Sequence, residues 1–249
     1  MTLKYTFIIC FFFILPPAIF SKIVHVNRTA TGLKNGSSWK DAFTQLLPAM
    51  QSAEYGDEIW MAQGMYNTYN PDNTGNPLVL KNGVKLYGSF RGDETEMQQR
   101  RWKEHKTTLT TFVPDLIINL SDSFFLSPAL FITNTDETTL VDGFTFYKCN
   151  APFFPANTHE AIATAGGGIL IYSESPENPA SAVIRNCTFS KNSAVAGAGI
   201  AVNYAFGGGT VIVEKCIFEQ NYGSWPGGGG GMDIRSLAGN ESFILIDSC

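Results

Sequence analysis

The sequence predicts an all-β solenoid in which each coil contributes three short strands. Two motifs in the last third of the chain predict this fold because they recur in step. One is a glycine run followed by an apolar residue, at 166–169, 197–200 and 229–232. The other is a cysteine followed by a phenylalanine and then an asparagine, at 187–192 and 216–221, with Cys249 opening a third copy. A fixed period of about 30 residues that carries strand patterns and no helical pattern is typical of stacked repeats.

Alternation within each repeat assigns the strands and their inward faces. In the first strand Ile169 and Ile171 share the predicted inward face, and Leu170 and Tyr172 lie on the predicted outer face. Their inward equivalents in the next repeats are Ile200 and Val202, then Met232 and Ile234. The second strand has inward pairs at Ala182 and Ile184, Val211 and Val213, and Ile244 and Ile246. The third strand carries the cysteine and the phenylalanine, and we expect each inward position to stack in a column.

The phase of this alternation slips by one residue between the second and third strands, at Asn186, Lys215 and Ser248. Such a slip predicts a sharp corner, and asparagine tolerates the left-handed backbone that a corner can need. The glycine runs are interpreted as corners where backbones pack closely. A phosphate-binding loop is disfavoured because a strand, and no helix, follows each run.

Less regular segments flank the repeats. The loops between first and second strands, 173–181 and 203–209, are predicted to project from one side, where solenoids often bind their partners. Upstream, residues 140–146 are interpreted as an earlier, imperfect third strand in which Phe146 matches Phe189. The apolar run 115–120 is assigned to a less regular coil.

The N-terminal block, residues 22–92, lacks the repeat and is predicted to hold a cap and the first coils. Repeats are assigned to 93–249 and break off at the chain end. A strand is predicted at 23–26, and a turn followed by a strand is predicted at 56–62, ended by 64–66. A strand, a turn and a second strand are predicted at 78–88. Apolar residues from Trp39 to Met50 have helical spacing, and Ser38 with Asp41 is typical of a helix N-cap. A helix here would cover the open edge of the first coil.

Residues 1–21 have the layout of a secretory signal peptide. Lys4 precedes an apolar run from Tyr5 to Leu15, which Pro16 and Pro17 close. The run is shorter than the ~20 residues that span a bilayer, so an uncleaved anchor is the less favoured alternative. The net charge of −5 offers no basic footprint, and no nucleic-acid partner is expected.

Four cysteines follow the predicted signal peptide, and Cys187, Cys216 and Cys249 occupy one repeat position. The sequence has no Cys-x-x-Cys pair and its histidines are scattered, so a zinc site is not predicted. Stacked strands lie ~4.8 Å apart, which leaves disulfides between coils open. A ladder of buried thiols is favoured, because side chains stacked in parallel seldom reach the disulfide torsion.

The pairing of Gly-Gly-x-Ile with Phe-x-x-Asn resembles the repeats of chlamydial polymorphic outer membrane proteins and related right-handed parallel β-helices. Ala198 and Met232 depart from that pattern. The front block is similar to that of secreted β-helix proteins, often from Bacteroidetes, through segments at 36–39, 56–59 and 64–66. The last two of these also occur in the pectate-lyase-like superfamily. The resemblance covers most of residues 22–249. It implies a right-handed parallel β-helix, secreted or on the cell surface at a bacterial outer membrane.

No catalytic, cofactor-binding or metal-binding residue is assigned from the sequence. Arg185, Glu214 and Asp247 fall at one outward repeat position, while Lys215 and Asp233 stand alone. Adjacent carboxylates could hold Ca²⁺, but a mixed column on a solvated face is the simpler interpretation. The resemblance implies that a lyase would combine a basic proton abstractor with acidic calcium ligands, and no such cluster is recognisable.

Other titratable residues carry no assignment either. Asp57 and Glu58 follow a turn glycine, so turn hydrogen bonds are expected there. His105 and His159 have no apparent partner in the sequence.

Two functional classes remain. The favoured one is an adhesin-like scaffold that binds polysaccharide, a surface glycan or a partner protein, without a cofactor. The alternative is a polysaccharide lyase or glycoside hydrolase of the pectate-lyase-like superfamily. Because the third repeat stops at Cys249, we expect a fragment of a longer protein whose open last coil aggregates or dimerises when produced alone.

Overall fold

The computed structural model describes residues 21–68, 78–112, 128–151, 165–205, 207–224, 228–236 and 242–249. Within these ranges the chain is all-β, and its strands, numbered β1 to β20 in chain order, pair in parallel. The described ranges also hold one α-helix, α1 (Leu46–Ser52), and one 3₁₀ turn, η1 (Met97–Gln99). The predicted signal peptide and the run 115–120 lie outside the described residues.

Each repeat passes through three sheets in turn, and strands from successive repeats lie side by side. The glycine sheet contains β4 (Val79–Leu80), β7 (Leu130–Ile132), β11 (Ile169–Ser173), β15 (Ile200–Tyr204) and β19 (Met232–Ser236). The long sheet contains β1 (Ile23–Val26), β2 (Glu58–Ala62), β5 (Lys85–Phe90), β8 (Leu140–Asp142), β12 (Ala182–Arg185), β16 (Gly209–Glu214) and β20 (Ser242–Asp247). The phenylalanine sheet contains β3 (Gly64–Asn67), β6 (Thr107–Thr110), β9 (Phe144–Tyr147), β13 (Thr188–Ser190) and β17 (Ile217–Glu219). A corner sheet contains β10 (Asn150–Ala151), β14 (Ser193–Ala194) and β18 (Tyr222–Gly223). This arrangement is compatible with a parallel β-helix.

The strand register confirms the predicted inward columns. Ile169 pairs with Ile200, which pairs with Met232. In the long sheet the same holds for Ala182, Val211 and Ile244. The rings of Phe146, Phe189 and Phe218 stack in the core, with centroids 4.8 and 5.0 Å apart. Similar side chains therefore stack in each inward column of the interior.

The predicted corners between the second and third strands are confirmed. Asn186, Lys215 and Ser248 have φ values of 54°, 52° and 53°, in the left-handed region. A second set of left-handed corners follows the phenylalanine strands, at Lys148, Lys191 and Gln220. Sequence reasoning did not predict this second set.

The recurrent asparagine closes the corner behind each phenylalanine strand. The Asn192 side chain accepts a hydrogen bond from the Cys149 N–H and donates to the carbonyl of Phe146, at 2.8 and 3.1 Å. Asn221 repeats this one coil later by donating to the carbonyl of Phe189. The two amides also bond to each other at 3.0 Å, and a buried polar ladder results.

The glycine runs are close-approach corners, as predicted. A Cβ at Gly168 would lie 2.6 Å from the Gly199 carbonyl oxygen and 2.9 Å from the Phe189 ring. A Cβ at Gly199 would meet the Gly231 carbonyl oxygen and the Phe218 ring in the same way. Glycine is therefore needed to let consecutive coils and the phenylalanine column approach this closely.

The single strand expected at residues 140–146 is wrong. These residues contain strand β8, a corner at Gly143 (φ 78°) and the start of β9, so they span two sheets. The match of Phe146 with Phe189 is nevertheless confirmed by their register.

Leu170 lies on the outer face, as predicted. It is only 1% exposed, because Ala165 and Ala201 cover it in a small outer cluster.

The N-terminal block differs from its expected form in two places. The helix begins at Leu46 and not near Ser38. The segment before the helix forms hydrogen bonds with β1 instead. The Phe43 N–H donates to the His25 carbonyl, and the Phe43 carbonyl accepts from the Asn27 N–H. The glycine at 64 also starts a new strand, β3, in the phenylalanine sheet. The strand predicted at 23–26 and the turn and strand predicted at 56–62 are confirmed by β1 and β2. The strand, turn and strand predicted at 78–88 correspond to β4 and β5.

All four cysteines of the described chain are free thiols. Cys149, Cys187 and Cys216 are buried, as the thiol-ladder interpretation expects, whereas Cys249 is exposed at the last coil. Burial raises the pKa of the Cys149 thiol to about 12. The buried thiols therefore act as small apolar side chains.

Candidate functional site

The candidate site is a shallow groove on the outer face of the phenylalanine sheet, with a volume of about 380 Å³. We call it the basic groove. Its lining residues come from four consecutive coils, and most are polar or aromatic: Lys106, Thr145, Tyr147, Thr188, Ser190, Lys191, Glu219 and Gln220. Because Phe146 and Phe189 point inward, their neighbours in sequence must point out into this groove.

Two columns of side chains form the floor of the groove. Thr145 pairs with Thr188 in one column, and Tyr147 pairs with Ser190 in the other. Ser190 in turn pairs with Glu219 of the next coil. Parallel strands lie ~4.8 Å apart, so hydroxyl groups recur along the stack at about that interval. The floor offers a row of hydroxyl donors and acceptors beside one aromatic ring.

Lys191 lines the groove, and Lys148 lies beside the Tyr147 ring at the equivalent corner one coil earlier. Lys148 and Lys191 occupy equivalent left-handed positions, with φ values of 50° and 55°. The Lys148 Nζ lies 4.8 Å from the Phe112 ring centroid and 5.4 Å from that of Tyr147. The Lys191 Nζ lies 6.0 Å from the Tyr147 centroid. Two ammonium groups thus converge on one tyrosine ring, at cation–π range.

The groove carries an excess of positive charge. Lys106, Lys148 and Lys191 are all exposed, and none of them belongs to an ion pair among the described residues. Among the described lining residues Glu219 is the one carboxylate, and it lies at the end nearest the C-terminus. Like charges held close together are unfavourable, so an anionic ligand would relieve repulsion between Lys148 and Lys191.

The predicted charged column lies elsewhere, on the outer face of the long sheet. Arg185, Glu214 and Asp247 do align across three coils. The column continues to Asp142, which sequence reasoning missed because it placed 140–146 in the wrong strand. Arg185 Nε donates to Asp142 Oδ2 at 2.7 Å, so the arginine is engaged in an ion pair.

Asp142 is the centre of a buried polar cluster. Its side chain is 3% exposed, and its Oδ1 accepts hydrogen bonds from Arg100 and Asn186, each at 3.0 Å. Burial alone would raise the pKa of Asp142, but the hydrogen bonds from Arg100, Asn186 and Arg185 and the charge of Arg100 outweigh it and lower the pKa. The carboxylate is therefore an anion with its partners already in place, which is typical of a structural role.

Arg100 also anchors the segment that covers the long sheet at this point. Its Nε donates to the Gly88 carbonyl at 2.6 Å, and its guanidinium lies 5.6 Å from the ring centroids of Tyr87 and Phe90. Trp60 stacks on Phe90 beneath it at 4.6 Å. The outer face of the long sheet is therefore occupied by protein here.

The remaining titratable residues named from the sequence have local roles. Asp57 accepts from the backbone N–H of Glu54 at 2.8 Å, which confirms the expected turn bond, and also from the N–H of Lys22 at 2.9 Å. Glu58 accepts from Trp60 Nε1 at 2.8 Å and not from a turn N–H. Asp233 does not stand alone, because Arg235 Nε lies 2.6 Å from its Oδ2. His105 Nδ1 lies 3.2 Å from Gln63 Oε1. His159 lies outside the described residues.

The loops predicted to project border a separate and larger cleft of about 960 Å³. Pro176, Pro179 and Ser181 from the first loop line it, together with Gly207 and Gly208 from the second. The two loops are hydrogen-bonded to each other, since the Ala180 N–H donates to the Gly208 carbonyl at 3.0 Å. Lysine and arginine are missing from its described lining, in contrast to the basic groove.

Within the described ranges, no cluster of three or more histidine, cysteine or acidic side chains is arranged to hold a metal ion. The helices seen in those ranges are too short or too polar to cross a bilayer. No family model matches the chain, and comparisons with curated proteins and with solved structures give no match.

Proposed function

We propose that the chain is a right-handed parallel β-helix that serves as an extracellular scaffold and binds an anionic glycan in the basic groove. The single observation that carries the proposal is the convergence of Lys148 and Lys191 on the Tyr147 ring, above a row of hydroxyl groups. Aromatic rings pack against sugar rings, hydroxyls exchange hydrogen bonds with sugar hydroxyls, and ammonium groups pair with carboxylate or sulfate.

The fold supports a binding surface of this kind because its floor is rigid. Behind the groove, Phe189 is fully buried between two stacked rings, and Asn192 is 1% exposed with its amide bonded on both sides. A rigid scaffold loses little conformational entropy on binding, which favours affinity from a small contact area.

We further propose that the N-terminal block caps the stack. β1 is the outermost strand of the long sheet. The edge of β1 that pairs with no other strand of this sheet forms backbone hydrogen bonds with Gly36 and Phe43. α1 packs beside it through Leu46, Ala49 and Met50, which are buried. Covering this edge would prevent another chain from pairing there.

Binding without cleavage is favoured over hydrolysis by the composition of the groove. Hydrolysis of a glycosidic bond normally uses two carboxyl groups that flank the bond. Glu219 is the one carboxylate among the described lining residues. Signal-peptide removal near Ser21, secretion and display at the bacterial cell surface complete the proposal.

The test is a titration of the full chain with oligosaccharides of matched length that are neutral, uronate-based or sulfated. We expect the anionic oligosaccharides to bind, and their affinity to fall as salt concentration rises. The decisive variant is Lys191→Asn, with Lys215→Asn as its control. Both lysines are exposed and left-handed, so the two changes alter charge and backbone demands equally.

Loss of a charge-assisted contact should weaken binding by about tenfold for Lys191→Asn. The control should bind as the natural protein does. Equal affinity of both variants would contradict the proposed site. Release of unsaturated uronides during the titration would show that the protein is a lyase and overturn the binding-only proposal.

A further inference from the structure

The basic groove changes character abruptly at its C-terminal end. Along the corner, Lys148 and Lys191 are followed one coil later by Gln220, which has the same left-handed backbone (φ 54°). Along the floor, Tyr147 and Ser190 are followed by Glu219. The coils are directly adjacent, since the Lys191 N–H donates to the Glu219 carbonyl at 3.1 Å. A cation is lost and an anion is gained within one coil spacing.

At the opposite end of the groove, the described strands carry no carboxylate at an outward position. The outer positions of β3 and β6 are uncharged: Met65 and Asn67 in β3, Thr108 and Thr110 in β6. Lys106 lines the groove on this side. Arg28 also lies at this end, where its guanidinium donates to the Met65 carbonyl at 2.8 Å. Charge therefore differs between the two ends of the groove: cationic side chains lie at the end near β3 and β6, and the Glu219 carboxylate lies at the other.

We propose that Glu219 ends the groove, so that the site receives the terminus of an anionic glycan chain and excludes continuous internal segments. This inference rests on the proposed function of the basic groove. An internal segment of a polyanion would place an anionic group against the exposed Glu219 side chain, about one strand spacing from Lys191. A chain terminus ends before that point and avoids the repulsion.

The proposal makes Glu219 and Gln220 specificity-determining residues for chain length. Affinity should increase with oligomer length until the lysines are occupied, and then stay constant. Changing Glu219→Gln together with Gln220→Lys should extend the cationic edge by one coil. The new lysine suits its backbone, because Lys148 and Lys191 already occupy the equivalent left-handed positions.

The experiment titrates the full chain at low salt with a length ladder of sulfated or uronate oligosaccharides, from the disaccharide upward. In the natural protein we expect affinity to level off at a short oligomer. In the Glu219→Gln/Gln220→Lys variant it should level off at a longer oligomer, with about fivefold tighter binding of the longer chains. Glu214→Gln/Asp247→Asn is the matched control, since it changes the net charge by the same amount at two paired outward positions of the long sheet.

The outcomes separate this inference from the proposed function. If anionic oligomers bind but the double variant levels off at the same length as the natural protein, Glu219 does not end the groove. If Glu214→Gln/Asp247→Asn shifts the length dependence equally, the effect is one of net charge and the inference fails. If no anionic oligomer binds the natural protein, the proposed function itself is wrong.

Discussion

Phe189→Ala should be among the most destabilising changes in the chain, and Phe218→Ala should cost about half as much. Phe189 is 0% exposed and stacks between Phe146 and Phe218, with ring centroids 4.8 and 5.0 Å away. Truncating a buried phenylalanine costs about 3–5 kcal/mol, and each aromatic pair contributes roughly 0.5–1.5 kcal/mol beyond area burial. We expect the upper end of the first range, because two ring pairs are lost together. Phe218 is half-buried and contacts one ring of the column.

The assay is guanidinium unfolding of the two variants and the natural protein, followed by far-UV circular dichroism. The midpoint should fall most for Phe189→Ala, while the slope of the transition stays unchanged if the folded states are alike. Equal losses for the two variants would mean that Phe218 is as well packed as Phe189. That result would refute the stacked column as described.

Three further predictions concern the interior and the corners. Gly168→Ala should destabilise by about 1–3 kcal/mol in the same assay, because its Cβ would lie 2.6 Å from a backbone oxygen that cannot move freely; a neutral result would contradict the close approach. The lowered pKa of Asp142 contributes stability that is complete above its unfolded value of about 3.9 and is lost as pH falls through the lower folded value. Asp142→Asn should therefore lower the melting temperature at neutral pH, where it leaves Arg100 unpaired, and the gap to the natural protein should narrow in acid; a gap independent of pH would argue against the ion pair. In the native protein, alkylation followed by mass spectrometry should label Cys249 first and leave Cys149 unmodified, since burial raises the Cys149 pKa to about 12; equal labelling of both would disagree with this burial.

The repeat positions were predictable because the stacking itself imposes the sequence pattern. Once coils are in register, each inward position needs a similar apolar residue, so Ile169, Ile200 and Met232 recur at one repeat position of the sequence. The same reasoning located the corners at Asn186 and Lys215, where alternation slips.

The helix boundary was not predictable from spacing. Apolar residues from Trp39 onward fit a helix, but Phe43 forms backbone hydrogen bonds to β1 instead. An unpaired strand edge offers backbone partners that local helical propensity does not outweigh. The Asp142–Arg100 pair was equally hidden, because the two residues are unrelated by the repeat.

The basic groove could have been found from one signal that was present. Matching Phe146 with Phe189 also aligns Lys148 with Lys191. Each lysine directly follows an outward residue, Tyr147 or Ser190. The outward charges that the repeat aligns most clearly lie on the long sheet, where Arg185 is engaged by Asp142. The convergence of both lysines on Tyr147 depends on left-handed corners that lysine rarely occupies, and sequence propensity argues against such corners.

The most direct test of the glycan-binding groove is lysine footprinting with an acetylating reagent, read by mass spectrometry with and without a sulfated oligosaccharide. Lys106, Lys148 and Lys191 should become protected when the ligand is present. Lys34 and Lys215 are also exposed and have left-handed backbones, so they serve as internal references and should be modified equally in both samples. Uniform protection of all five lysines, or protection centred on Lys215, would contradict binding in the basic groove.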